Sequence, residues 1–308
     1  MGYVTNVQSL VGQTPMIELT HSAIPNQARI FAKLEFMNPG GSVKDRLGLK
    51  LIEDALARGL LKRGSTIVEP TAGNTGIGLA LAAIGKGFKV LFVIPKKFSI
   101  EKQSLMKALG AQIVHTPTAE GMIGAIKKAE QLCDEIPDAF SPQQFHNMAN
   151  PNTYYDTLAP EIYNDLNGQI DIFVAGAGTG GTFMGTARYL KEQNPLIKTV
   201  IVEPEGSILN GGKPGPHRTE GIGMEFLPSY MDDSYFDAVH TVSDKIAFQR
   251  LKELALNEGL LAASSSGAAF EAALREAEKA VPGARIATIF PDSSERYLSQ
   301  GIYEECKQ

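Results

Sequence analysis

Short apolar runs alternate with stretches of 3.6-residue apolar spacing along most of the chain. The runs Thr66–Glu69, Val90–Ile94, Gln112–Val114, Asp171–Ala175, Thr199–Val202 and Ile286–Phe290 predict strands, each set between helical patterns. Continuous rather than alternating apolar character marks strands buried on both faces, so the pattern implies parallel sheets under helices. Leu47, Leu51 and Ala55 form one helical stripe that Gly59 ends. Ser42 with Asp45 three residues on reads as a capping box, which puts Lys44 in that helix's first turn. The segment Gly76–Ala83 is small and aliphatic without charge, so its helix is buried on nearly all sides and its start faces the interior.

Two stretches share one plan of apolar strand, Gly-rich turn and small-residue helix, Thr66–Lys86 and Asp171–Lys191. Breakers between Ser141 and Asn150 suggest a boundary there, giving an N-terminal α/β domain over 1–145 and a C-terminal one over 146–308. The alternating strand Arg29–Phe36 can pair with either half, so residues 12–36 can pack with the C-terminal domain. The fold class expected is α/β, two domains with twisted, mostly parallel sheets covered by helices. From Pro204 to Gly223 no periodicity appears, and a connection of that length is usually functional.

The 308 residues are 43% hydrophobic and 20% charged, enough for a sizeable core in about two domains. A net charge of −5 without any Lys/Arg block argues against nucleic acid as a partner. Cys133 and Cys306 are too few for a disulfide framework and read as free thiols. With no signal peptide and no apolar run of membrane-spanning length, the expectation is a cytoplasmic protein without a membrane partner. The five histidines are scattered without ligand spacing, so no metal site is expected.

Gly176-Ala177-Gly178-Thr179-Gly180-Gly181 satisfies G-x-G-x-x-G between a strand and a helix, with Glu203 about 20 residues on, which leaves a dinucleotide reading available. The turn itself says only that backbone N–H groups and a helix start converge on an anion, with hydroxyls from Thr179 and Thr182. A tight structural turn is the alternative. Thr71-Ala72-Gly73-Asn74-Thr75-Gly76 is a second anion-shaped helix start, suited to a substrate carboxylate, or else a capping turn without ligand. Lys44 alone reads as a solvated helix lysine. An ammonium in a first turn opposes the helix dipole, and a Schiff base with an aldehyde cofactor would remove that cost. Ser264-Ser265-Ser266-Gly267 looks like a helix start rather than a nucleophile.

Together these motifs, from Gly12-Gln13-Thr14-Pro15 to Phe290-Pro291-Asp292-Ser293, resemble the fold-type II pyridoxal-phosphate (PLP) enzymes, specifically the cysteine synthase and cystathionine β-synthase group. The resemblance implies that Lys44 bonds the cofactor aldehyde, Asn74 the 3′ oxygen, and Gly178, Thr179, Gly180, Gly181 and Thr182 the phosphate, with Ser265 at the pyridine nitrogen. It also implies that Thr71, Ala72, Gly73, Thr75 and Gln144 line the substrate-carboxylate site. The implied reaction is β-replacement: Lys44 takes the α-proton, a β-substituent leaves, and a thiol adds at Cβ. The stretches Glu203–Leu209, Glu220–Phe226 and Tyr155-Asp156-Thr157 look more like cystathionine β-synthases, which points to homocysteine as the thiol, with Glu220 and Gly221 contacting it. Cysteine synthesis from sulfide is the close alternative; a nicotinamide-dependent oxidoreductase is the remote one. Ala72 stands where many relatives have Ser, so O-acetylserine is expected over serine as the first substrate. The resemblance further implies a homodimer with neither haem nor a regulatory module.

Overall fold

A computed structural model describes residues 2–71, 73–96 and 99–304. In chain order its main elements are β1 (Met16–Glu18), β2 (Arg29–Leu34), α1 (Lys44–Ala57), β3 (Thr66–Pro70), α2 (Asn74–Ala83), β4 (Lys89–Pro95), α3 (Ile100–Ala108), β5 (Gln112–Thr116), α4 (Gly121–Glu135) and β6 (Ala139–Phe140). There follow α5 (Ala149–Asp156), α6 (Leu158–Asp165), β7 (Ile172–Gly176), α7 (Gly181–Gln193), β8 (Lys198–Pro204), β9 (Ala238–Val242), α8 (Asp244–Glu258), α9 (Ser264–Ala277) and β10 (Arg285–Phe290). The architecture is α/β, in two compact units: residues 1–11 with 38–150, and residues 12–37 with 151–308.

The first unit is built on a four-stranded sheet in the order β5-β4-β3-β6, every neighbouring pair parallel. All five residues of β3 are buried, so this strand needs cover on both faces. Val68 and Val93 pack with Ala125 and Ala129 of α4. Helices α1 and α2 meet through glycine, since a Cβ built on Gly48 would stand 2.7 Å from the Leu79 amide nitrogen. At its far end α1 closes with Gly59 N–H donating to the Leu56 carbonyl (3.0 Å) and Leu60 N–H to that of Ala55 (2.8 Å), a Schellman arrangement.

The second unit carries the order β1-β2-β10-β7-β8-β9, parallel except where β1 runs antiparallel to β2. Strand β2 thus pairs with β10, with Arg29 opposite Arg285. Ile30, Val174, Val200, Phe270 and Ile286 belong to one core cluster. Glu203, at the end of β8, is buried and accepts from Leu209 N–H (2.8 Å), Asn210 N–H (3.1 Å) and Thr241 Oγ1 (3.0 Å). Its carboxylate is engaged in tethering the following loop, which removes the acidic partner that a dinucleotide ribose would need. Among the described residues no helix is long and apolar enough to cross a membrane.

Candidate active site

Lys44 opens α1 in the first unit, but the capping box does not form. Lys44 N–H donates to Ser42 Oγ at 3.2 Å, whereas the Asp45 carboxylate turns back to accept from Gly40 N–H at 2.5 Å. The glycine N–H lies on the incoming loop, so Asp45 pins that loop rather than completing a reciprocal cap. One turn beyond Asn74, Gly78 lies against the start of α1: a Cβ built there would be 2.8 Å from the Lys44 carbonyl carbon. This backbone contact brings the first turn of α1 and that of α2 together, and with them Lys44 and the Thr71–Gly76 loop.

Within the loop, Gly73 precedes α2 at φ 142°, a conformation open to glycine. Thr71 Oγ1 accepts from Gly73 N–H (3.1 Å) and Gly76 N–H (3.2 Å), so part of the capping role is realised by that hydroxyl. Thr75 Oγ1 donates to Gln144 Oε1 at 2.8 Å, and Gln144 Nε2 donates to the Pro70 carbonyl at 3.1 Å. Asn74 is the first residue of α2, where backbone N–H groups have no intrahelical acceptor. Ala72 lies outside the described residues.

Two residues of this neighbourhood carry no motif in the sequence. Glu69, in β3, is wholly buried and accepts from Gln144 N–H (3.1 Å), Gln143 N–H (3.0 Å) and Ser141 Oγ (3.4 Å). Burial pushes its carboxyl up to about 7 against the opposing pull of those hydrogen bonds. Its signal in the sequence is an acidic residue within an otherwise apolar run. Lys102 on α3 is buried, and its side-chain Cβ would lie 3.2 Å from a Cβ on Gly73. Only tertiary packing reveals that contact.

In the second unit the Gly-rich turn leaves β7 and enters α7 at Gly181. Gly180 sits at φ 83°, ψ −18°, left-handed, which aims the following amides together. A Cβ on Gly178 would stand 3.2 Å from the Gly221 carbonyl carbon, so the two chains touch backbone to backbone. Tyr230 OH donates to the Thr179 carbonyl at 2.9 Å, and Thr179 and Thr182 are each 8% exposed. A Cβ on Gly221 would in turn be 3.9 Å from Ser265 Oγ. The turn, Gly221 and Ser265 therefore form one group.

The serines at the start of α9 do not cap it. Ala263 occupies the N-cap position without a side-chain bond, and the buried hydroxyls of Ser265 and Ser266 have no partner among the described residues. Buried hydroxyls are rarely left unpaired, so an unmatched one marks a place where another group is expected. Glu220 accepts from Gln300 Nε2 at 2.6 Å. Cys133 is a free thiol, pushed up to about 11 by burial and the surrounding carboxylates; Cys306 lies outside the described residues.

The sequence matches the model of the family described as "Pyridoxal-phosphate dependent enzyme" over residues 7–292. It is 58% identical over 304 residues to the O-acetylserine dependent cystathionine beta-synthase of Bacillus subtilis, covering 99% of both chains. It is 54% identical over 305 residues to a cysteine synthase of Helicobacter pylori, covering 98% of this chain and 100% of the relative. The crystal structure of an O-acetylserine dependent cystathionine beta-synthase from Helicobacter pylori superposes with a TM-score of 0.96 at 54% identity, covering 98% of this chain and 100% of that one.

Proposed function

Because the chain belongs to the pyridoxal-phosphate dependent enzymes, we propose that it catalyses β-replacement on O-acetylserine, in preference to serine, with homocysteine as the thiol and cystathionine as the product. The observation that carries the cofactor assignment to particular residues is the buried Ser265 hydroxyl, unpartnered among the described residues, beside Gly221, itself against the Gly178 turn. The residues present fit the group. The turn from Gly178 to Thr182 would hold the phosphate through amides at the start of α7, and Ser265 would meet the ring nitrogen. Asn74 would bond the 3′ oxygen, and the Lys44 amine would bond the aldehyde.

When bound, pyridoxal phosphate supplies an electron-withdrawing ring that acidifies the α-proton of an amino acid and eases loss of its β-substituent. The Lys44 Nζ takes the proton from Cα and returns it after the thiol has added. Thr71, Gly73, Thr75 and Gln144 orient the substrate carboxylate. Ser265, being neutral, leaves the ring less strongly protonated than an acidic partner would. Ala72 offers no hydroxyl to a departing hydroxide, which favours acetate as leaving group.

Glu220 and Gly221 would contact the amino group of homocysteine. The relative named a cysteine synthase supports a second reading, sulfide as the thiol, and so does the engagement of Glu220 by Gln300. Steady-state assays of O-acetylserine and serine, each with sulfide and homocysteine, separate the two in wild type and Glu220→Ala. Homocysteine turnover that falls selectively in Glu220→Ala is expected; product from sulfide alone sinks the cystathionine reading. A homodimer in the cytoplasm completes the proposal, and sedimentation at micromolar protein tests the dimer.

A further inference from the structure

We propose that Glu69 is a positioning residue for the amino-acid substrate, acting through Gln144. This rests on the reading of Gln144 and Thr75 as contacts of the substrate carboxylate. Glu69 Oε1 accepts from Gln144 N–H and Oε2 from Gln143 N–H and Ser141 Oγ, so one carboxylate holds the two successive peptide units on either side of Gln143. Gln143 has φ 54°, a left-handed backbone that a residue with a side chain adopts only when its surroundings hold it there. Held in this way, the Gln144 side-chain amide spans the gap to the loop, meeting Pro70 on one side and Thr75 on the other, while the Gln144 backbone carbonyl accepts from Asn150 Nδ2 at 2.7 Å. Glu69 and Pro70 are adjacent on β3, so the group that sets the Gln144 backbone and the one that receives its side chain are joined covalently.

The donors around Glu69 call for an acceptor-only side chain. A glutamine of the same length would have to turn its NH2 toward one of the backbone N–H groups, losing that bond with little change of volume. The titratable groups on α4, packed on β3, are Lys127, Lys128, Glu130, Cys133, Asp134 and Glu135, and Cys133 is itself raised partly by Glu69. Burial opposed by its three hydrogen bonds, rather than either lysine, sets the Glu69 carboxyl, and His146 lies on the segment that Glu69 holds. The carboxyl, raised to about 7, therefore loses acceptor strength on protonation just below neutrality.

The test uses holoenzyme of wild type, Glu69→Gln, Gln144→Ala and the double variant, with KM for O-acetylserine, kcat, and the cofactor's visible absorbance as readouts. Expected are a KM raised about tenfold in each single variant, with kcat changed by less than about threefold, and a double variant no worse than Gln144→Ala alone. In wild type, KM should also rise as pH falls through about 7, and Glu69→Gln should abolish that rise. An unchanged KM in Glu69→Gln beside a raised KM in Gln144→Ala overturns the positioning role and leaves the carboxylate site standing. An unchanged KM in Gln144→Ala overturns the reading of the site and this inference with it. Should Glu69→Gln not fold, a wild-type KM that stays flat between about pH 6 and 8 refutes the role.

Discussion

The contact between α1 and α2 yields the sharpest prediction, for Gly78→Ala. Taken as a helix substitution it should stabilise, since alanine is better than glycine in a helix interior by about 1 kcal/mol. The structure reverses the sign. The new Cβ would lie 2.8 Å from the Lys44 carbonyl carbon, 3.2 Å from Asp45 Cα, and nearer still to the Lys44 oxygen. Carbon contacts normally fall at about 3.5–4.0 Å, so α1 must retreat by roughly 1 Å. The obstacle is backbone, which cannot rotate aside, so overpacking of about 3 kcal/mol outweighs the propensity gain and leaves a net loss of about 2 kcal/mol. That loss lowers Tm by roughly 3 °C in a chain of this size. Lys44 moves with its carbonyl, and a displacement of about 1 Å at a group that must meet a reacting carbon lowers kcat by about 100-fold. Thermal melts of apo- and holoenzyme, with turnover of O-acetylserine, read both effects. A Gly78→Ala variant that melts at or above the wild-type temperature with full turnover would refute the close approach and the placement of Lys44 that depends on it.

Three further outcomes follow from other parts of the molecule. Ser265→Ala removes a buried hydroxyl without a partner among the described residues, so apoenzyme stability should hold or rise, by up to about 1–3 kcal/mol; cofactor affinity measured by titration should fall, and an equal loss in both forms would show the hydroxyl to be structural. Burial alone would raise Glu276, but the neighbouring His240 and Lys198 hold it down to about 2 from 4.5. Its contribution is therefore fully present above the ordinary carboxylate range and is lost as pH falls from 4.5 toward 2; it amounts to about 1–2 kcal/mol after screening of the half-exposed Lys198. Urea unfolding of wild type and Glu276→Gln across that window should show a shallower acid limb in the variant, and parallel limbs would contradict the pairing. Cys133, with its thiol near 11, should be alkylated slowly at neutral pH and faster as pH rises, as mass spectrometry of native protein can follow.

The strands were legible where burial on both faces leaves an unbroken apolar run, as in Val90–Ile94, which lies within β4. Such runs give no partner, however, and Arg29–Phe36 read as ready to join either half until its pairing with β10 was seen. Strand β6 comprises only Ala139 and Phe140, too short for any period to register. Local rules also failed at Ser42 and Asp45: the spacing of a capping box was present, but Gly40 N–H lay within reach of the carboxylate and took it. At Ser264–Ser266 the residues of a cap are spelled out, yet Ala263 takes the N-cap position of α9, and the Ser265 and Ser266 hydroxyls are buried without a partner among the described residues. Glu69 was read as part of a strand, because the amides it binds lie more than seventy positions along the chain.

The position of β2 between β1 and β10 bears on the order in which the protein can be completed during synthesis. The residues of the first unit from 38 to 150 lie wholly within the sequence of the second, whose sheet joins strands from near the two ends of the chain. Emerging from the ribosome, residues 29–34 must wait without their parallel partner while the four-stranded sheet of the first unit is already complete in sequence. Chains cut short before Arg285 would thus carry Lys44 on a unit complete in sequence, yet leave both β2 and β7 with an open edge where β10 belongs, a surface prone to pair with other unfinished chains.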